Sequence, residues 1–319
     1  MSLVTIIIPM FNEIDNIRQC VEVLRKQKNQ NFDVIFVDDG SSDSTVEELS
    51  RYLDPSIVFN YKIIKQTNKG AAAARLAGIK IAVTEFIMLF DCDDDLSDNI
   101  TDEVYSEYKK DSNVDIIIPN MRIQNINGDW NDFIFYTKDL QLKPIDCVKE
   151  SLKNWGVHGC YTIRRDIING SYTKYYSYNV KKENYVNNDE VITRLNFSSS
   201  KKIVRTNSVY YYKYNHSSTT KRINNNKYLS IKNSVILSNI YSNEIEIKNI
   251  AKSELISVLW GSLVYMRRHK DNLDNINEWK KTITEATHDL NYIKDFKKSK
   301  YKRRVQLTIL KFLTNFNLI

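Results

Sequence analysis

The sequence predicts an α/β fold: a mixed, mostly parallel sheet flanked by helices, with a helical C-terminal extension. Three observations carry this expectation. Short apolar runs of strand length alternate with amphipathic segments of helix length through the first ninety or so residues. Those runs are continuous rather than alternating, as strands buried on both faces require. From about Asn224 onward the apolar spacing is helical to the end.

Residues 3–8 form the first apolar run. Ile14, Ile17, Val21 and Leu24 then recur at helical spacing. Residues 32–37 read as a second strand. Ser44 with Glu47 three residues later has the spacing of a capping box opening the next helix. Residues 58–64 are a third strand, the alanine-rich stretch 70–82 a helix, and residues 85–90 a fourth strand. This order implies right-handed βαβ units. Beyond Asp95 the pattern predicts a helix over 98–110 and a strand over 114–119. Asn127-Gly128 is a turn between extended segments 118–124 and 130–136. Residues 157–163 and 201–214 favour strands, and 187–197 a helix. One boundary is expected, between residues 1–223 and 224–319. No internal repeat is present.

The 319 residues suffice for one nucleotide-binding-sized domain and a smaller unit. Eight glycines and four prolines exclude collagen-like and low-complexity chains. The net charge of +7 is uneven, acidic clusters lying early and a basic stretch late, which suggests an anionic partner near the C-terminus. Cys20, Cys92, Cys147 and Cys160 form neither a C-x-x-C pair nor a zinc spacing, so a reduced, cytoplasmic protein is expected. The first apolar run is too short for a signal peptide and ends at Pro9. No stretch approaches the ~20 apolar residues of a membrane span. Membrane contact is therefore expected only at a surface.

The most informative segment is Phe90-Asp91-Cys92-Asp93-Asp94-Asp95, where an apolar strand runs into a carboxylate cluster. Such groups repel unless a cation or donors compensate. Mn²⁺ and Mg²⁺ prefer oxygen ligands, and Mg²⁺ is commonly held by one or two carboxylates together with substrate phosphates. Spacing alone leaves open an acidic, solvated turn capping the next helix. Asp38 and Asp39 end the second strand before Gly40. One of them could accept from a base N–H, while Asp43 or Ser44 caps the following helix. Pro9-Met10-Phe11-Asn12-Glu13 ends the first strand. Three polar strand ends on one sheet edge favour a joint ligand crevice. Asn68-Lys69-Gly70 opens the helix that carries Arg75, and a helix N-terminus with two cations could receive phosphate oxygens. An ordinary surface helix start explains the same residues.

Four segments, V-T-I-I-I-P-M-F-N-E at 4–13, V-D-D-G-S-S-D at 37–43, N-K-G-A-A-A-A-R-L-A-G at 68–78 and F-D-C-D-D at 90–94, together resemble family 2 glycosyltransferases of the GT-A (Rossmann-like) fold. The likeness is specific over residues 3–97 and thinner to about residue 220. It implies a nucleotide-sugar donor, usually a UDP-sugar, an oligosaccharide or lipid-linked surface-glycan acceptor, and Mn²⁺ or Mg²⁺. Asp39 matches the base-reading aspartate, Arg75 the nucleotide-holding position, and Asp91 and Asp93 the D-x-D pair, with Asp93 on the metal. Pro9, Phe11, Glu13, Lys69 and Cys92 accompany them on the donor side. Leu76 departs from the Asn that many relatives carry there.

Asn187-Asn188-Asp189-Glu190 resembles the family's E-D segment, whose aspartate is the general base of a single, inverting displacement. The preferred register puts Asp189 on that aspartate. A shifted register selects Glu190, which is otherwise acceptor-side. Without the resemblance these are acids opposing a helix dipole. Residues 210–218 resemble the family's aromatic strand and following loop. Lys213, His216 and Ser218 are candidates there for the donor diphosphate, and His216 also for the metal. Trp155 and His158, with Tyr175, Tyr176 and Tyr178, are candidates for the acceptor, burial in the core being the alternative.

Lys297, Lys298, Lys300, Lys302, Arg303 and Arg304 precede a helical segment in which Ile309, Leu310, Leu313 and Phe316 can share a face. A basic amphipathic helix can lie on an anionic membrane, or dock on the body with its charges solvated. A non-catalytic nucleotide- or sugar-binding subunit of the same fold is the rival reading, and loss of the acidic loop or the base would favour it. A nucleotidyltransferase would need a glycine-rich N-terminal loop with Arg and Lys, and a dinucleotide oxidoreductase G-x-G-x-x-G. Neither is present. Nucleic-acid binding would rest on net charge alone and is not expected.

Overall fold

The structure is a computed structural model and describes residues 1–153, 155–157, 159–183, 185–215, 223–290, 301–316 and 318–319. In chain order the elements are β1 (Val4–Met10), α1 (Ile17–Arg25), β2 (Asp33–Asp38), α2 (Thr45–Tyr52), β3 (Asn60–Lys65), α3 (Ala71–Ile81), β4 (Phe86–Leu89), β5 (Asp95–Leu96), α4 (Ile100–Lys110), β6 (Ile116–Gln124), β7 (Trp130–Asp132) and β8 (Gln141–Leu142). There follow α5 (Pro144–Ser151), β9 (Thr162–Arg164), α6 (Arg165–Tyr178), α7 (Asn188–Ser199), β10 (Ile203–Tyr212), α8 (Leu229–Ile240), α9 (Ile245–Arg268), α10 (Ile276–Asp289) and α11 (Tyr301–Asn315).

The sheet runs β3-β2-β1-β4-β9-β6-β10-β5, with β7 on β6 and β8 on β10. β3, β2, β1 and β4 are mutually parallel, as are β6 and β10. Between these groups β9 runs antiparallel to both β4 and β6. The expected mixed, mostly parallel sheet is therefore the one that forms. Ile6, Ile7 and Ile8 of β1 are wholly buried, as a central parallel strand demands. α3 packs directly on that strand: a Cβ at Gly78 would stand 2.5 Å from Ile7 Cγ2, so only glycine permits the approach.

Local details differ from the sequence reading. The Ser44 side chain makes no capping bond. Asp43, the other capping candidate, makes one instead: its Oδ1 accepts from the Thr45 N–H at 3.0 Å, satisfying an orphan donor of the first turn. The strand expected over 157–163 is the shorter β9, and α6 follows it where no helix is expected from sequence.

The chain divides into two compact units. One comprises Met1–Cys147, Trp155–Lys174 and Ile192–Asn215, and holds the whole sheet. The other comprises the described residues of Val148–Asn154, Tyr175–Val191 and His216–Ile319. The single boundary expected after residue 223 thus captures the division only in part. Residues 175–191 group with the later helices through a buried polar network: the Tyr175 hydroxyl lies 2.7 Å from Asn188 Oδ1 and 2.8 Å from Asn233 Oδ1, and Asn233 Nδ2 donates to the Val186 carbonyl at 2.8 Å. The second unit's core centres on Leu255, Ile256, Leu259 and Leu263 of α9, Trp279 and Ile283 of α10, and Leu310 of α11. Among the described residues no helix is long and apolar enough to cross a membrane.

Candidate active site

Parallel pairing brings three loops to one edge. In register, Pro9 faces Val37, Met10 faces Asp38, and Ile7 faces Leu89. The residues that follow β1, β2 and β4 therefore emerge together at the carboxyl ends of the strands, where α/β sheets bind ligands. Half-buried Pro9 closes β1, and Phe11 beyond it is exposed. Hydrogen bonds tie the loops. The Asp39 N–H donates to the Met10 carbonyl at 2.8 Å. Asn12, in the left-handed region at φ 57°, accepts from the Ser42 N–H at 2.8 Å and donates its own N–H to Ser41 Oγ at 3.0 Å.

Asp39 is 2% exposed, and its carboxylate gathers the third loop. Oδ1 accepts from Gln66 Nε2 at 2.7 Å and from the Lys69 N–H at 2.9 Å, while Oδ2 accepts from the Gly70 N–H at 2.7 Å. The last two donors open α3, so the carboxylate also meets the positive end of that helix. Oδ2 keeps capacity for a further donor. The approach depends on Gly40, at φ +78°, where an added Cβ would lie 2.9 Å from the Asn68 nitrogen.

Along the acidic loop burial alternates: Asp91, Asp93 and Asp95 are half-buried, while Cys92 and Asp94 are buried. This alternation corrects one expectation. Cys92, expected on the donor side, turns its thiol inward against Cys20, and that neighbour together with burial pushes the thiol's pKa up. Asp94, not singled out from sequence, accepts from the Tyr210 hydroxyl at 2.7 Å and from the Lys213 N–H at 2.9 Å. Burial, reinforced by the Asp91 charge, pushes Asp94 up to about 8 against the pull of those bonds. Arg75 Nη2 holds both oxygens of Asp91, at 2.6 and 2.9 Å. Asp93 Oδ2 accepts from Asn215 Nδ2 at 2.7 Å, and Lys213 Nζ lies 3.8 Å from Asp95. Glu13 joins this field. Its carboxyl is pushed up to about 7, chiefly by burial and then by Asp93, Asp91 and Asp43, against an opposing hydrogen bond from Asn16.

This donor set fits a divalent cation of the hard, oxygen-binding kind. Arg75 engages both oxygens of Asp91, whereas Asp93 Oδ2 accepts from the neutral amide of Asn215, and burial, with the neighbouring carboxylates adding to it, keeps Glu13 and Asp94 above the ordinary carboxylate range. Among the described residues no group of three or more His, Cys, Asp or Glu forms a cage.

In the second unit Asp189 is exposed in the first turn of α7. Glu190 accepts from Asn187 Nδ2 at 2.9 Å, and Asn188 is buried in the Tyr175 network. Two acceptor expectations are corrected. Tyr175 is buried in that network. Trp155 is buried within an aromatic cluster of the first unit, its ring 5.0 Å from Tyr136 and 5.8 Å from both Phe135 and Phe197. Packing area, not sugar stacking, accounts for both rings. Tyr176 is half-buried under Lys182, and Tyr178 is exposed. His158, His216 and Ser218 lie outside the described residues. Sequence reasoning missed Gln66, Asp94, Tyr210 and Asn215. The only signals were that Asp94 extends the acidic run and that Asn215 ends the aromatic segment.

The sequence model of Glycosyl transferase family 2 matches residues 5–169, more than half of the chain. Glycosyltransferase GlyG of Streptococcus pneumoniae serotype 4 (strain ATCC BAA-334 / TIGR4) is 31% identical over 136 residues, 42% of this chain and 44% of that one. Poly(ribitol-phosphate) beta-N-acetylglucosaminyltransferase TarP of Staphylococcus aureus (strain N315) is 27% identical over 122 residues, 37% of this chain and 36% of that one. The chain thus spans less than half the length of these curated relatives. The crystal structure of S. aureus TarS 1-349 in complex with UDP-GlcNAc superposes with a TM-score of 0.65 at 16% identity, covering 90% of this chain and 81% of that chain, which is a likeness of fold. With its residues 5–169 matched by the family model and its strand ends carrying the family's acidic loops, the chain belongs to glycosyl transferase family 2.

Proposed function

We propose that this protein transfers a sugar from a UDP-sugar to a hydroxyl of a bacterial surface glycan, with inversion at the anomeric carbon. The observation that carries the reading is the convergence of Glu13, Asp39, Arg75, Asp91 and Asp93 at the carboxyl ends of three parallel strands. The complexes of TarS with UDP and UDP-GlcNAc and the name of TarP support a uridine donor and a surface-polymer acceptor such as an oligosaccharide or lipid-linked glycan.

Asp39 would offer its remaining acceptor capacity to a base N–H. Pro9 and Phe11 would flank the nucleoside, and Lys69 at the start of α3 would face the phosphates. Asp93 would hold Mn²⁺ or Mg²⁺, which when bound neutralises charge on the departing diphosphate. Arg75, held by Asp91, would add positive charge against the same diphosphate, and Asp91 would face a nearby donor hydroxyl. Asp189 would remove the proton from the acceptor hydroxyl as that oxygen attacks, and Glu190, engaged by Asn187, would orient the acceptor.

A panel of UDP- and GDP-sugars with and without Mn²⁺ tests the donor: a metal-dependent UDP-sugar turnover is expected, and a GDP-sugar preference would overturn the uridine reading. Asp189→Asn should lower transfer by about 10²–10⁴-fold with UDP affinity unchanged. Near-normal turnover would remove Asp189 from the base role.

A further inference from the structure

We propose that α11 attaches this protein to an anionic lipid bilayer through an apolar stripe that the fold leaves uncovered. The inference is independent of the reaction catalysed.

α11 has two apolar faces. Leu307, Leu310 and Thr314 are buried, with Leu310 and Leu313 packed into the core of the second unit. This revises the face expected from sequence, in which Leu310 and Leu313 shared a stripe with Ile309 and Phe316. Opposite the buried face, Tyr301 is 82%, Val305 39%, Ile309 38%, Phe312 54% and Phe316 64% exposed. At about 3.6 residues per turn these five fall within roughly an 80° arc. The Phe312 and Phe316 rings lie 4.8 Å apart, forming one continuous patch that Leu318, also exposed, extends.

Charge selects the occupant. Residues 301–319 carry Lys302, Arg303, Arg304 and Lys311 and no acidic residue. On the helical wheel Lys302 borders one side of the stripe and Arg304 the other, and both are exposed. Arg267 of α9 reaches the carbonyl of Leu318 and adds a cation at the helix's C-terminal end. Aromatic and aliphatic side chains flanked by cations match the boundary between acyl chains and anionic headgroups. A second copy of the chain would bring like charges together, which disfavours self-association through this face.

Flotation of the full chain tests this, using vesicles of phosphatidylcholine alone and of phosphatidylcholine with phosphatidylglycerol. Binding is expected on the anionic vesicles and should weaken with salt. Phe312→Ser/Phe316→Ser and, separately, Lys302→Glu/Arg304→Glu should each reduce the partition coefficient by roughly tenfold or more. All four side chains lie outside the core, so melting temperatures should hold. Wild type left unbound on anionic vesicles, or both variants binding as wild type does, would overturn the proposal. A dimer in light scattering that the Phe pair dissolves would assign the stripe to a second copy and overturn it equally.

Discussion

At the scale of single residues, the acidic loop shows how a short motif acquires direction. Its five consecutive positions alternate between the open side and the interior, so neighbouring carboxylates have different tasks. Asp93→Ala should sharply weaken UDP binding in the presence of Mn²⁺ while leaving metal-free binding little changed. Calorimetric titration checks this, and unchanged metal-dependent affinity would count against a role for Asp93. Glu13 and Asp94 make a pH prediction. Their folded-state pKa values, about 7 and about 8, lie above the ordinary values of 4.5 and 3.8. Folding therefore favours their protonated forms. Their contribution to stability is complete below the unfolded-state pKa values and is lost as pH rises through the folded ones. Without divalent metal the melting temperature should fall from about pH 5 to about pH 8, and Glu13→Gln should flatten that slope. An unaltered slope would show that Glu13 ionises freely in the folded protein. The carboxylates themselves are legible in the sequence. Their partners are not, since Asn215 and Tyr210 come from more than a hundred residues away, in an aromatic strand and loop whose pattern does not say which carboxylate each will meet.

At the scale of elements, legibility follows burial. β1, β2 and β4 announce themselves because a central parallel strand must be apolar on both faces. β5, β8 and β9 have two or three residues each, too few for any period, and they exist only because a neighbouring strand offers its edge. β9, Thr162–Arg164, pairs with β4 and β6 at once and runs antiparallel to both. The glycines give the sharpest tests at this scale. Gly78→Val should cost about 1–3 kcal/mol by forcing α3 off Ile7, measurable by urea unfolding. A wild-type midpoint would mean that the interface yields more easily than the 2.5 Å contact implies. Gly40→Ala should lower both the melting temperature and the affinity for UDP, because it strains the backbone and pushes residue 68 away from the Asp39 clamp. Lowered stability with intact affinity would separate the clamp from the donor site.

For the molecule as a whole, the second unit carries its own core, and Trp279 anchors it: fully buried, stacked on Tyr265 at 5.5 Å, with Nε1 donating to the Asn225 carbonyl at 2.9 Å. Trp279→Ala should therefore cost about 3–5 kcal/mol, read by denaturant unfolding, and a loss below about 1 kcal/mol would show that the core refills. From the sequence alone came the parallel strands, the polar loops at their ends and the helical C-terminal region, because each is written in contiguous residues whose spacing reflects burial. Tertiary structure decided which carboxylates face inward, that Trp155 and Tyr175 are packed rather than presented, that residues 175–191 join the later helices, and which face of α11 remains open. Those outcomes depend on distant segments competing for the same interior space, and no local pattern records who wins.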